Sequence, residues 1–494
     1  MCGEAGIHYE LVVHSLYPHI IHLQAGLITR GRHSMNKQES LELFAKGRGA
    51  WNKWAEERLA ERKELEEASL SLSSPESRMR KWRNQASVDF SGHLFERDVD
   101  FTKFIFPGEA DFGSSKFEGN AFFGKAKLCG DTIFKEVVFD KLANFDQVVI
   151  DEQINFVEST FNSEAKFNKS IFNAMVWFAG ANFNDHTNFE GAVFHELAYF
   201  KDVSFSGVAY FQNSSFRDVD FTDAKFLAVS WFYDSEFNGN TLFNQSVFKG
   251  PVNFSQASFY SFTTFHKTQF YGATTFNAIR SERTFTLEEA RFNLVPDFIQ
   301  GHFEEAPRLD NIVVPKSRFL SSDYGKNFAN MSALWRALKR LAIQGHDHER
   351  ELQFFAEEIR AQQTWTGFLY EVLSDFGRSL WLPFIWWCGI NGFMTLAHFL
   401  TSSLSRPSTN ALDTFFAAAH LAFTKGLLVL GWGASDKLVD DYRLLYGGAK
   451  SVTKDVTAPS IPYIIDVMQM GQAIFSAVLI FLFLLALRNR FRIN

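Results

Sequence analysis

Few residues in this 494-residue chain have types and spacings that could do chemistry. His346, Asp347, His348 and Glu349 carry metal-ligand atoms. Adjacent residues of a helix point in different directions, and no further ligand follows at metal spacing, so a solvated helix turn is expected there and no metal. No Ser-His-Asp set stands in a nucleophile-elbow context, and no phosphate loop occurs, so no enzyme and no cofactor are expected. Cys2, Cys129 and Cys388 are scattered, without disulfide or metal spacing, which suits a reducing compartment. What remains is polar or glycine-rich sequence in apolar surroundings: Lys425, the run Val429, Leu430, Gly431, Trp432 and Gly433, and the positions Asp466, Gln469 and Gln472. Such carboxamides either line a path for ions or bond one another between helices.

The elements that hold these residues are apolar. Residues 380–404 and 467–487 contain no Asp, Glu, Lys or Arg, and each run is long enough to cross a bilayer. Arg378 precedes the first run, and Arg488, Arg490 and Arg492 follow the second. The positive-inside tendency then puts both ends in the cytoplasm and the loop between them outside. A multi-pass protein of the cell (inner) membrane is expected, with lipid as a partner. Within the loop, residues 411–435 are apolar but interrupted by Asp413 and Lys425, which predicts a re-entrant or interfacial segment. Residues 1–34 make a poor signal peptide, and Met35 opens a more ordinary start, so 1–34 read as a start-site extension.

The longest pattern carries no chemistry. From Phe90 to Phe276 a large apolar residue recurs at alternating steps of five and six, all Phe except Leu128 and Ile150. Phe178, Phe183, Phe189, Phe194 and Phe200 are a sample of this core. The alternation breaks once, at Phe211, Phe216, Phe221 and Phe226, spaced five, five, five. Such steps rotate by roughly 140° and 240° on a helix and would not share a face. The residue two before each Phe is nearly always small, as at Ala110, Ala121, Thr187 and Ala198. In extended chain, residues i and i−2 face the same side. One short strand per step, each sending a small and a large side chain inward, must wind into a solenoid, because no single unit buries its own Phe. Residues 90–276 hold 14 Lys and Arg against 23 Asp and Glu, so the solenoid is acidic and direct nucleic-acid binding is not expected.

The blocks "AGANF", "EGAVF", "FTDAKF" and "YGATTF" resemble the pentapeptide-repeat family. The resemblance implies a mainly β solenoid plus α fold: a right-handed quadrilateral parallel β-helix, a helical connector and C-terminal transmembrane helices. Steps of five and six over four faces give 22 residues per coil, with looser corners on two of the four edges, and about nine coils near 40 Å long. "GAWNKWAEER" is similar to the helix that precedes the coils in that family, with Trp51 and Trp54 plugging the open end. The domains expected are an N-terminal helix and linker at 35–80, with the linker at 69–77, the β-helix at 81–300, a connector at 301–375 and a two-span membrane domain at 376–494. In the connector, Leu334, Leu338, Leu341, Leu352, Phe355 and Ile359 follow coiled-coil-like spacing broken at Gly345. One long helix or two antiparallel helices both fit. Such a seam suits a homo-oligomer.

The C-terminal layout resembles a membrane-bound subgroup with a channel-like pair of helices. There "LGWGA" stands where a potassium channel has "VGYGD", whose carbonyls replace the water of the ion. Val429 and Ala434 depart from that filter, and Lys425 does not favour a cation path. Three functions follow: a membrane-anchored cytoplasmic solenoid acting as scaffold or sensor with a protein partner on its surface, an oligomeric ion-channel-like pore regulated by the solenoid, or an acidic DNA-mimic rod acting on a topoisomerase.

Overall fold

The computed structural model describes residues 35–69, 75–316, 328–405, 410–427, 436–447 and 461–491. The expected start-site extension and the run Val429 to Gly433 lie outside the described residues. The chain forms two compact units that divide near Val314.

The first unit is a parallel β-solenoid of two-residue strands. Val88 pairs with Ala110 and Val138 with Thr160, so each coil takes two steps of five and two of six. Strands occupy four positions per coil, and a ten-stranded sheet from Leu94–Phe95 to Arg291–Phe292 gives one strand per coil. There are thus ten coils rather than nine, about 48 Å of stacked strands. The difference arises because coiling continues past Phe276, with parallel bridges Thr286 to Arg308 and Arg291 to Val313 beyond the expected boundary at 300. Inside, the rings stack in columns. Phe178 lies 4.8 Å from Phe156 and 4.9 Å from Phe200, nearly parallel, and meets Phe189 edge-on at 5.6 Å. Ala181, Ala192 and Ala198 are fully buried beside them. Each ring contributes about 1.5–3 kcal/mol by burial.

The two kinds of corner differ physically. In a five-residue step the second residue after Phe adopts positive φ, as at Lys103 (62°), Ser114 (54°) and Lys125 (59°). The next amide bonds back to the Phe carbonyl, as from Phe104 to Phe101 at 3.0 Å. This is a type II turn, which ordinarily asks for glycine. Here Lys103 holds that conformation because its own amide is also bonded to Gly124 O of the next coil at 3.0 Å. The six-residue steps lack this turn and are the looser corners expected. Several stack glycine on the backbone below, and a Cβ at Gly250 would lie 2.3 Å from the carbonyl carbon of Ala228. Gly250→Val is expected to destabilise the solenoid by about 1–3 kcal/mol, read as a lower melting temperature, by forcing two coils apart.

The broken alternation also has a structural form. Strand Ser215–Asp220 runs straight through a corner, beside Val193–Tyr199. The register shifts between them, from Phe194 opposite Phe216 to Ala198 opposite Val219. One turn of the stack is therefore a residue short there, and its neighbour bulges to match.

Helices α1 (Lys37–Ala45), α2 (Arg48–Ser69) and α3 (Pro75–Ala86) close the N-terminal end. Asn36 and Glu39 form a capping box that starts α1. Trp51 is fully buried, lies against Phe90 and Phe106, and donates its indole N–H to Ile105 O at 2.8 Å. The Asn52 carboxamide bonds Lys103 O and the Ile105 amide, so it stands in for a strand at the open edge. Trp54 does not enter the plug and rests half-buried on Trp51. Phe44 of α1 takes that place, 4.6 Å from Phe101. Helix α3 occupies part of the stretch expected as linker at 69–77, held to α2 by Trp82 donating to Arg58 O at 2.7 Å.

The second unit begins with a helical hairpin, α4 (Phe328–Gln344) and α5 (His348–Gln362). His346 at φ 54° breaks the seam, and Asp347 caps α5 by accepting from the Arg350 amide, which selects two antiparallel helices. The HDHE stretch is therefore a turn and cap. Trp335 and Phe354 pack between the helices, and Arg336 and Lys339 of α4 clasp Glu358 of α5. Burial opposes ionisation of Glu358, but these two cations hold its carboxyl below the usual range. Helix α6 (Trp365–Ser374) follows, and then α7 (Trp381–Ser405), α8 (Ala411–Gly426), α9 (Asp436–Tyr446) and α10 (Tyr463–Phe491) pack together.

Candidate functional site

Two helix faces in the second unit are polar where they meet. Helix α7 buries Asn391, Thr395, His398 and Ser402, spaced four, three, four. Helix α10 buries Ile465, Gln469, Gln472, Ser476 and Leu479 at the same spacing. The Gln472 carboxamide donates to Asn391 Oδ1 at 2.8 Å and to Ala422 O of α8 at 2.7 Å. Asn391 in turn donates to Trp387 O at 2.6 Å. Gly426 ends α8 against this pair, since a Cβ there would lie 2.2 Å from Asn391 Oδ1. Gln469 donates to His398 Nε2 at 3.2 Å and accepts from the Tyr442 hydroxyl at 2.9 Å. The other ring nitrogen of His398 meets the Tyr446 hydroxyl at 2.5 Å. A neutral imidazole suits both bonds, accepting at Nε2 and donating at Nδ1.

Of the residues singled out from sequence, Gln469 and Gln472 are brought together with His398 and Asn391. Lys425 lies one step away, its ammonium 5.7 Å from the Tyr442 ring centre. Asp466 stands apart, exposed in the first turn of α10. Helix α8 packs into the bundle through Ala417, Ala418, Leu421 and Ala422. The reading from sequence missed Asn391, His398 and Tyr446. The first two carried a signal, a four-three-four row of polar residues inside an uncharged run. Tyr446 carried none.

The outer faces are the reverse of the inner ones. Phe393 is 59% exposed, Met470 70% and Ile474 60%, while Asn391 and His398 are fully buried. Among the described residues α10 is the one helix long and apolar enough to cross a membrane. Helix α7 is long enough at 25 residues, but Asn391, Thr395, His398 and Ser402 dilute its apolar run.

The solenoid exterior carries ladders of polar side chains, such as Asn184 to Asn162 to Asp140 at 2.9 and 3.0 Å. Ion pairs such as that of Lys116 with Asp140 are exposed and contribute little. His266, Glu288 and Glu289 bring ligand-type atoms within 4.8 Å of one another, but Lys267 already pairs with Glu289. Burial pushes the Cys129 thiol up to about 11, so it is inert at neutral pH.

The first unit is thus a parallel β-solenoid with four strand positions per coil and an inward Phe at most of them. The family described as "Pentapeptide repeats (9 copies)" matches residues 145–193, 189–235 and 232–280. Residues 145–280 of the solenoid are therefore pentapeptide repeats, while its first and last coils and the helical unit lie outside the match. No curated protein and no solved structure matches the chain.

Proposed function

We propose that the chain is an integral membrane protein whose pentapeptide-repeat solenoid, right-handed as in its family, works in the cytoplasm as a scaffold or sensor. Helices α7 and α10 anchor it, and its acidic exterior meets a protein partner. The inverted helical unit carries this reading. A protein dissolved in water buries apolar side chains and exposes polar ones. Here the hydrogen-bonded carboxamides and His398 are inside, and large apolar side chains cover the outer faces of α7 and α10. Hydrocarbon reverses the usual preference, because polar groups there must satisfy one another between helices. Subunits of a homo-oligomer would meet through the same helical unit.

Alkaline carbonate and a membrane-impermeant maleimide test this. The protein is expected to stay in the carbonate-resistant membrane fraction. In intact cells Thr453→Cys should be labelled, and Asn182→Cys only after the membrane is opened. Release by carbonate, or reversed labelling, defeats the reading.

A pore is the second reading. Helix α8 packs on both α7 and α10 and ends at Gly426, just ahead of Gly431 and Gly433. That is the order of a pore helix before a filter. Ion flux from liposomes that Gly431→Val abolishes would move the function to a pore, whereas an anchor is indifferent to the change.

A further inference from the structure

Beyond the polar helix faces, the second unit holds a cavity of about 360 Å³ between the α4–α5 hairpin, α6 and the C-terminal end of α10. Its walls are of two kinds. Ile343, Leu352, Phe355, Phe376 and Leu485 supply apolar surface, and Lys339, His348 and Arg488 supply cations or donors. The Tyr370 hydroxyl and the Asn489 carboxamide also border it.

The charge balance is positive. Two acids are near, and both are engaged: Glu351 with His348 at 3.1 Å, and Glu358 with both Arg336 and Lys339. Arg488 has no carboxylate partner among the described residues and stands exposed at the rim. Asn489 donates to Gly377 O at 3.2 Å, which ties the end of α10 to the turn after α6. The location matters as much as the charge. Leu484 and Phe481 lie exposed on α10 one and two turns before Arg488, so the cavity opens where apolar surface gives way to arginine. In a bilayer that is the headgroup level.

We propose that this cavity binds the phosphodiester headgroup of an anionic phospholipid, with Lys339 and Arg488 on the phosphate and the apolar wall from Leu485 along the first acyl carbons. The proposal rests on the reading of α10 as a span. Basic pockets beside a membrane helix on the cytoplasmic side suit such headgroups. A compact soluble anion would leave the apolar wall uncovered, whereas a phospholipid matches both walls.

The test uses purified, delipidated full-length protein in mild detergent, with bound lipid counted by native mass spectrometry. Phosphatidylglycerol is expected to bind in preference to phosphatidylcholine. Arg488→Gln should weaken phosphatidylglycerol about fivefold, and Lys339→Gln by a similar factor, at about 1 kcal/mol per cation. Arg350→Gln removes the same charge away from the cavity and should change nothing. Equal binding of the two lipids, or equal loss with Arg350→Gln and Arg488→Gln, overturns the proposal. Full displacement of the lipid by inorganic phosphate would assign the site to a soluble phosphate compound and overturn the lipid assignment. Carbonate extraction of the membranes from which the protein is purified separates two failures. Protein that is not membrane-integrated fails the span reading. Integrated protein without lipid preference fails only the cavity assignment.

Discussion

Replacing Phe189 by aspartate will unfold several coils of the solenoid. The ring is fully buried, stacked 4.6 Å from Phe167 and 5.0 Å from Phe211, with Phe178 and Phe200 edge-on at 5.6 and 5.5 Å. Loss of the ring alone costs about 3–5 kcal/mol, as in other Phe truncations. Phe183 and Phe194 stand farther off at 6.4 and 6.2 Å, and the carboxylate adds the cost of a charge in a site walled by these six rings with no donor to meet it. Because each coil touches only its neighbours, the damage is local at first and then spreads along the stack. Fragment 35–316 covers the described residues of the first compact unit and is the material to use. Its far-UV circular dichroism should fall and its melting temperature drop well below that of Asn182→Asp, an exposed change on a neighbouring strand. Equal melts for the two variants would sink the account of the core.

The double change Ile474→Arg with Val478→Arg will drive the full-length protein out of the membrane fraction. Both residues lie on the outer face of α10, 60% and 45% exposed. On a surface facing water, two such changes stay within about 1 kcal/mol. Near the middle of a bilayer each arginine costs about 2.5–3.5 kcal/mol, so the pair costs about 5–7. The same sequence change therefore gives two very different results in the two solvents. Carbonate-resistant protein should fall to a small fraction of wild type, while Leu227→Arg, on the solenoid exterior, leaves it unchanged. Normal yield and melting of the double variant, in a fraction free of membranes, would mean that the outer face of α10 meets water or protein instead.

The solenoid was legible because its core is a periodic demand. A Phe must return to the same column each coil, so alternating steps of five and six set the length of a coil before any contact is known. The single run of three fives likewise marked where one turn of the stack falls a residue short. What sequence did not disclose was the backbone conformation of the tight corner. Lysine and glutamate are poor signals for positive φ, and they hold it at Lys103 and Glu136 because a neighbouring coil bonds their amides. The N-terminal plug was half legible. Trp51 stood out by type, but Phe44 reaches the stack only because α1 turns back across it.

In the helical unit, sequence alone determined where the apolar runs lie, because hydrophobic length and absence of charge are local properties. It also marked Gln469 and Gln472 as polar groups needing partners. Which partners they take was decided only by the tertiary structure. The bonds from Gln472 to Asn391 and from Gln469 to His398 depend on how α7 and α10 are rotated and displaced against each other, and packing across the interface sets that. The cavity beside Arg488 has the same origin: its lining comes from α4, α5, α6, the turn after α6 and α10, distant in sequence, and no local spacing brings them together.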